Sequence, residues 1–129
     1  MRTVAIALAA ALSFGAAATA QDVNGTWQTE PSDTGGYLQV RIGPCSYDQA
    51  LTCGQIVKAV NSTIPDLEGR AIITDMKPNG TNRWNGGQIW APDDDKTYRS
   101  KMALTAAGLE VEGCVAIFCR GQTWQRVSN

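Results

Sequence analysis

The chain has 129 residues, with 11 Lys and Arg against 12 Asp and Glu, 43% hydrophobic residues and no histidine. Its length fits one small domain, and a near-neutral, slightly acidic balance argues against nucleic acid and anionic membrane surfaces as partners. The missing histidine excludes Ser-His-Asp and Cys-His nucleophilic machinery.

Arg2, the apolar run from Val4 to Phe14 broken only by Ser13, and the small-x-small site Ala18-Thr19-Ala20 together read as a secretory signal peptide over residues 1–20, cleaved before Gln21. The run falls well short of the roughly 18 to 20 residues that cross a bilayer, so an uncleaved anchor is the poorer reading. No later stretch is long and apolar enough to span. A single domain over residues 21–129 is therefore expected outside the cytoplasm, periplasmic or secreted.

Short strands and turn signals then alternate at the spacing of an all-β sandwich or barrel. Gly25 to Thr29 forms the first predicted strand. In Tyr37 to Ile42, the residues Leu38, Val40 and Ile42 alternate with Tyr37, Gln39 and Arg41, the pattern of a strand with one wet face. Gly54 to Val60 is more uniformly apolar apart from Lys58. Asn61 to Gly69, containing Pro65, reads as a connecting loop.

Arg70 to Met76 and a Pro78-Asn79-Gly80 turn lead into Asn82 to Trp90. Gly86-Gly87 inside that strand predicts a bulge or sharp bend, because the flanking arms are too short for two strands and small barrels use glycine at corners. Asp93-Asp94-Asp95 turns the chain into Lys96 to Leu104. The next turn, Thr105-Ala106-Ala107-Gly108, leads to Leu109 to Val115. If it pairs Leu104 with Leu109, Lys101 falls opposite Glu112 outside and Met102 opposite Val111 inside. Gln122 to Val127 is the last predicted strand.

The expected fold is thus all-β, a small closed antiparallel barrel of about eight strands. In a closed sheet the first and last strands are neighbours, so Trp27 of one can stack on Arg126 of the other, with Trp124 beside them, and seal one end of the core. A barrel of this size either fills its interior with side chains or holds one small ligand.

Cys45, Cys53, Cys114 and Cys119 all follow the leader, and export makes disulfides the default. Ser46-Tyr47-Asp48-Gln49 offers turn chemistry for joining Cys45 to Cys53. Cys114 and Cys119 can meet only if the chain reverses at Val115 to Phe118, a segment without Gly, Pro or Asn. Local pairing needs no further coincidence and is the expectation, the two crossed pairings staying open. A zinc knuckle is the weaker reading, since the wider cysteine spacing is loose and no histidine can complete a mixed site. No metal and no cofactor are expected.

Asp93-Asp94-Asp95 reads as a solvated hairpin tip, because adjacent carboxylates point in different directions and do not form a calcium loop. Glu110 and Glu112 fall on outward strand positions. Trp84 and Trp90 are placed on one face of their strand and Tyr98 on the inward side of the next. Together with the inward Leu38 they form the candidate lining of a ligand cavity. Core packing predicts the same pattern.

Gly25-Thr26-Trp27, Arg41-Ile42 to Cys45, Cys53-Gly54-Gln55-Ile56-Val57, Trp84-Asn85-Gly86-Gly87, Pro92, Lys96-Thr97-Tyr98 and Gln122-Thr123-Trp124-Gln125-Arg126 resemble a bacterial exported family, domain of unknown function 2147. The resemblance spans nearly the whole chain after the leader and implies a periplasmic or secreted bacterial protein with no established activity. The chain departs from the family pattern at Lys58 and Ala59, where apolar and aromatic residues are usual, and at Asp95, where a turn glycine is usual. Its connector between the third and fourth strands is shorter. More distantly, the G-x-W motif with a late arginine resembles the lipocalin-like barrels, whose members mostly bind small ligands. The expected role is a non-enzymatic binding protein for a small apolar or amphipathic ligand. The alternative is a protein-binding module of the cell envelope, such as a hydrolase inhibitor.

Overall fold

Three aliphatic side chains at alternate positions give Leu38, Val40 and Ile42 a common face. The structure buries Val40 and Ile42 completely while Arg41 between them stays exposed, the period-two pattern of a strand with one dry side. This computed structural model describes residues 22–129, so the expected signal peptide lies outside the described residues.

Eight strands follow in chain order: β1 (Gly25–Gln28), β2 (Tyr37–Pro44), β3 (Thr52–Val60), β4 (Ala71–Pro78), β5 (Arg83–Ala91), β6 (Lys96–Thr105), β7 (Gly108–Val115) and β8 (Phe118–Ser128). Each pairs antiparallel with the next, and β8 returns to β1, so the sheet closes into an up-and-down barrel without a free edge. Its inner face carries Trp27, Val40, Ile42, Ile56, Ile73, Met76, Met102, Leu104, Leu109, Val111 and Trp124, all buried.

Sequential connectivity sorts the loops. The connections β1–β2, β3–β4, β5–β6 and β7–β8 gather at one end. The other end holds β2–β3, β4–β5, β6–β7 and both chain ends of the barrel.

That second end is sealed by the closure pair. Trp27 lies opposite Arg126 across the β1–β8 ladder, with the guanidinium carbon 4.3 Å from the indole ring centroid. The indole N–H donates to the Val23 carbonyl at 2.8 Å, and Arg126 donates to the carbonyls of Asn24 at 3.0 Å and Asp22 at 2.5 Å. The N-terminal segment is thereby folded under the barrel. Glycine at position 25 is what lets the arginine pass: a Cβ there would lie 2.5 Å from the Ser128 carbonyl oxygen and 2.7 Å from an Arg126 guanidinium nitrogen, and φ is 147°.

Register follows the expected turn between β6 and β7. Leu104 faces Leu109, Met102 faces Val111, and Lys101 faces Glu112, with the Lys101 ammonium 3.4 Å from the Glu112 carboxylate. The pair is solvent-exposed and contributes at most about 1 kcal/mol.

The cysteines pair locally, Cys45 with Cys53 and Cys114 with Cys119. Here the structure corrects the expected start of the last strand. β8 begins at Phe118, not Gln122, because the chain reverses in a two-residue turn at Ala116-Ile117, flanked by the pair Val115 and Phe118. Ala116 adopts a φ of 53°, a left-handed conformation that costs about 1 to 2 kcal/mol for a residue with a Cβ. Cys114 sits directly opposite Cys119, and the short loop they close contributes about 2 kcal/mol on the chain-entropy account, enough to offset the strain.

Candidate functional site

Above the sealed end and its packed core the barrel opens. A cavity of about 900 Å³ opens at the end formed by the β1–β2, β3–β4, β5–β6 and β7–β8 connections. Trp124, Val111, Ile72 and Leu67 line it while each stays at most 4% exposed. The same side chains belong to the core cluster, so the dry core continues upward as the cavity wall. Trp124 therefore serves twice, completing the packed layer above the closure pair and lining the cavity. Its indole N–H is satisfied by the Gln122 side chain at 3.0 Å.

Leu38, Trp90 and Tyr98 are brought together on this cavity. Trp84 is not. A common face for Trp84 and Trp90 requires uninterrupted alternation between them, but the ladder slips by one residue there: Trp84 pairs with Met102, whereas Gly87 pairs with Ser100. Gly86, at φ 71°, supplies the left-handed residue of this bulge. Trp84 therefore shares the inward side of Met102 and packs on the core, outside the cavity lining. The bulge signalled by Gly86-Gly87 is itself what takes the two tryptophans off one face.

Trp90 pairs instead with the exposed Thr97. It is held at the rim by two contacts that sequence pattern does not reveal. The Arg70 guanidinium carbon lies 3.6 Å from its ring centroid, and its indole N–H donates to Asp95 at 2.9 Å. Tyr98 donates its hydroxyl to Asp94 at 2.7 Å. That hydrogen bond, with smaller contributions from desolvation and the Asp94 charge, raises the Tyr98 pKa above its ordinary value. The exposed Asp93-Asp94-Asp95 turn is thus also the fastening of two rim aromatics.

The sequence profile described as "Uncharacterized protein conserved in bacteria (DUF2147)" matches residues 25–126. The chain belongs to this family. The match runs from Gly25 to Arg126, the two residues that cross at the sealed end. Among solved structures, the DUF2147 barrel is similar to protein HP1028 from the human pathogen Helicobacter pylori, described as belonging to the lipocalin family. The TM-score is 0.67 at 20% sequence identity, over 84% of each chain. This likeness establishes a lipocalin-like fold. No curated protein sequence matches the chain.

Two departures from the DUF2147 pattern have structural explanations. Asp95 has a φ of 52°, the left-handed conformation a turn glycine would take, which a short polar side chain tolerates. Unlike glycine, it also provides the acceptor for Trp90. At Lys58, the β2–β3 ladder slips by one residue: Val40 pairs with Ile56 but Gln39 with Lys58. Lys58 consequently stays exposed, and Ala59 packs inward opposite Leu38.

The charged residues on the cavity are Glu30, Asp33, Asp93, Asp94 and Arg120. Four are carboxylates on loops or turns. Glu30 accepts the Thr123 backbone N–H at 2.8 Å and Asp94 accepts Tyr98. Arg120 differs in standing on a strand, two residues from Phe118 and Gln122 and four from Trp124, all of which line the cavity. Past it, the tip of the β7–β8 hairpin exposes Val115 at 59%, Ile117 at 87% and Phe118 at 76%, so the mouth has an apolar lip on one side.

Proposed function

We propose that this protein is an exported, non-enzymatic binding protein that takes a small apolar or amphipathic molecule into the open end of its barrel. One observation carries the reading: the open cavity of about 900 Å³ whose lining includes the core residues Leu67, Ile72, Val111 and Trp124. Ligand sites are apolar concavities of roughly 300 to 1,000 Å³ with a few polar groups for orientation, and here the polar groups sit at the mouth. Signal-like residues at the N-terminus and two disulfides support a periplasmic or secreted location. A histidine-free chain supports binding over catalysis.

Native mass spectrometry of the protein purified from its own host tests this reading. A co-purifying mass of a few hundred daltons, released by mild unfolding, is the expected result. A tightly retained protein and no small molecule would contradict it.

The second reading, a protein-binding module such as an inhibitor of an envelope hydrolase, has its own observation in the exposed Val115, Ile117 and Phe118. Three large apolar side chains on one hairpin tip form the kind of patch that a partner covers. A cavity is not needed for that role, and its presence supports the first reading.

A further inference from the structure

We infer that the ligand carries an anionic head, of the carboxylate class, and that Arg120 is the residue that selects it. The inference rests on the cavity being the binding site.

Arg120 pairs with Gly113 across the β7–β8 ladder, in the same inward register in which Leu109 faces Trp124, Val111 faces Gln122 and Val115 faces Phe118. Its side chain therefore leaves the cavity face of the barrel wall near the mouth, where it stays exposed, and among the described residues it is the single charged strand residue on that lining. Gly113 opposite it has no side chain to compete for that face, and Ile89 closes over it, since a Cβ there would lie 3.2 Å from the Ile89 side chain. Among the described residues Arg120 takes part in neither an ion pair nor a side-chain hydrogen bond, whereas Arg70 and Arg126 stack on indoles and Arg99 donates to the Ala116 carbonyl at 2.8 Å. It is an exposed, unused planar fork of donors on the lining of the cavity.

A guanidinium binds a carboxylate through two parallel charge-assisted hydrogen bonds. An alkyl carboxylate entering tail first would lay its chain along Leu38, Ile89 and Trp124 and bring its head level with Arg120. The cavity carboxylates Glu30, Asp33, Asp93 and Asp94 oppose this sign of charge, but all four are exposed on loops and turns, where water and salt screen their longer-range repulsion. A direct bidentate contact outweighs such screened repulsion.

Titration calorimetry with three probes of similar alkyl tail, decanoate, decan-1-ol and decyltrimethylammonium, tests the inference on wild-type protein and on Arg120→Gln. The expected result is tightest binding of decanoate, a loss of about tenfold for decanoate in Arg120→Gln, and an unchanged decan-1-ol affinity that also certifies the variant's fold. Arg120→Lys, which keeps the charge but loses the fork, should fall between them. Equal decanoate binding by wild type and Arg120→Gln, or tightest binding of the ammonium probe, would overturn the head-group assignment while leaving the cavity reading in place. If none of the three probes binds, the cavity reading fails, and the assignment with it.

Discussion

Trp27 and Arg126 stand opposite each other on the two strands that close the barrel, with the guanidinium carbon 4.3 Å above the indole. This one contact joins the beginning of the sheet to its end and ties down the segment that plugs the lower opening. Arg126→Ala removes the cation–π contact and two donors to backbone carbonyls, and should cost about 2 to 3 kcal/mol. Gly25→Ala should cost about 1 to 3 kcal/mol, by crowding the same guanidinium and straining the backbone. Urea unfolding of the two variants and the double variant checks both. The double variant should lose less than the sum, since one crossing is damaged twice.

Ligand entry should be reported by the two tryptophans on the cavity, Trp90 and Trp124, and ignored by Trp84. Trp90 lines the cavity rim and Trp84 packs on the core beyond the bulge. Adding decanoate should change the intrinsic fluorescence of wild type and of Trp84→Phe alike, while Trp90→Phe should lose the rim's share of the response and keep that of Trp124, against which the alkyl chain lies. A response carried by Trp84 would mean that the cavity reaches the sealed end.

Tyr98 titrates above the ordinary tyrosine value of about 10, chiefly because its hydroxyl donates to Asp94. With the folded-state value raised, this hydrogen bond's contribution to stability is complete below the unfolded value and is lost as pH climbs through the folded one. Asp94→Asn should bring the titration down toward 10 and make the rim aromatic more mobile. Nuclear magnetic resonance of ring-labelled tyrosine follows the titration directly. An unmoved Tyr98 curve in the variant would contradict the assignment.

The Cys114–Cys119 bridge closes a short loop across a turn containing a left-handed alanine. Replacing both cysteines by alanine should lower stability by about 2 kcal/mol, and the hairpin tip should fray before the barrel does. Ala116→Gly in that background should restore part of the loss by relieving the strained φ. Hydrogen exchange at Val115 to Arg120, with thermal unfolding, distinguishes local fraying from global loss.

Much of the barrel could be read from residue pattern because its determinants are local. Alternation gave β2 its dry face, the four-residue turn after Leu104 set the β6–β7 register, and the framing Gly25-Thr26-Trp27 and Arg126 implied closure. What pattern missed were events that change parity. One-residue slips beside Gly87 and Lys58 redirect Trp84, Trp90 and Ala59, and no alternation rule survives such a slip. The Ala116-Ile117 reversal was legible only through the cysteines: neither residue is a turn former, but the expected Cys114–Cys119 pairing requires the chain to turn between them, and that cross-strand disulfide holds it. Arg120 was missed for a related reason. With β8 expected to begin at Gln122, it counted as loop, and only the longer strand gives it an inward register.

The most direct test of the hollow barrel as a binding site is a crystal structure of the protein grown with decan-1-ol, which no charged residue can capture by itself. The account predicts continuous density for one alkyl chain inside the barrel, between Leu38, Ile89 and Trp124. Collapsed walls without density there, or an alcohol bound only on the outer surface against Ile117 and Phe118, would contradict it.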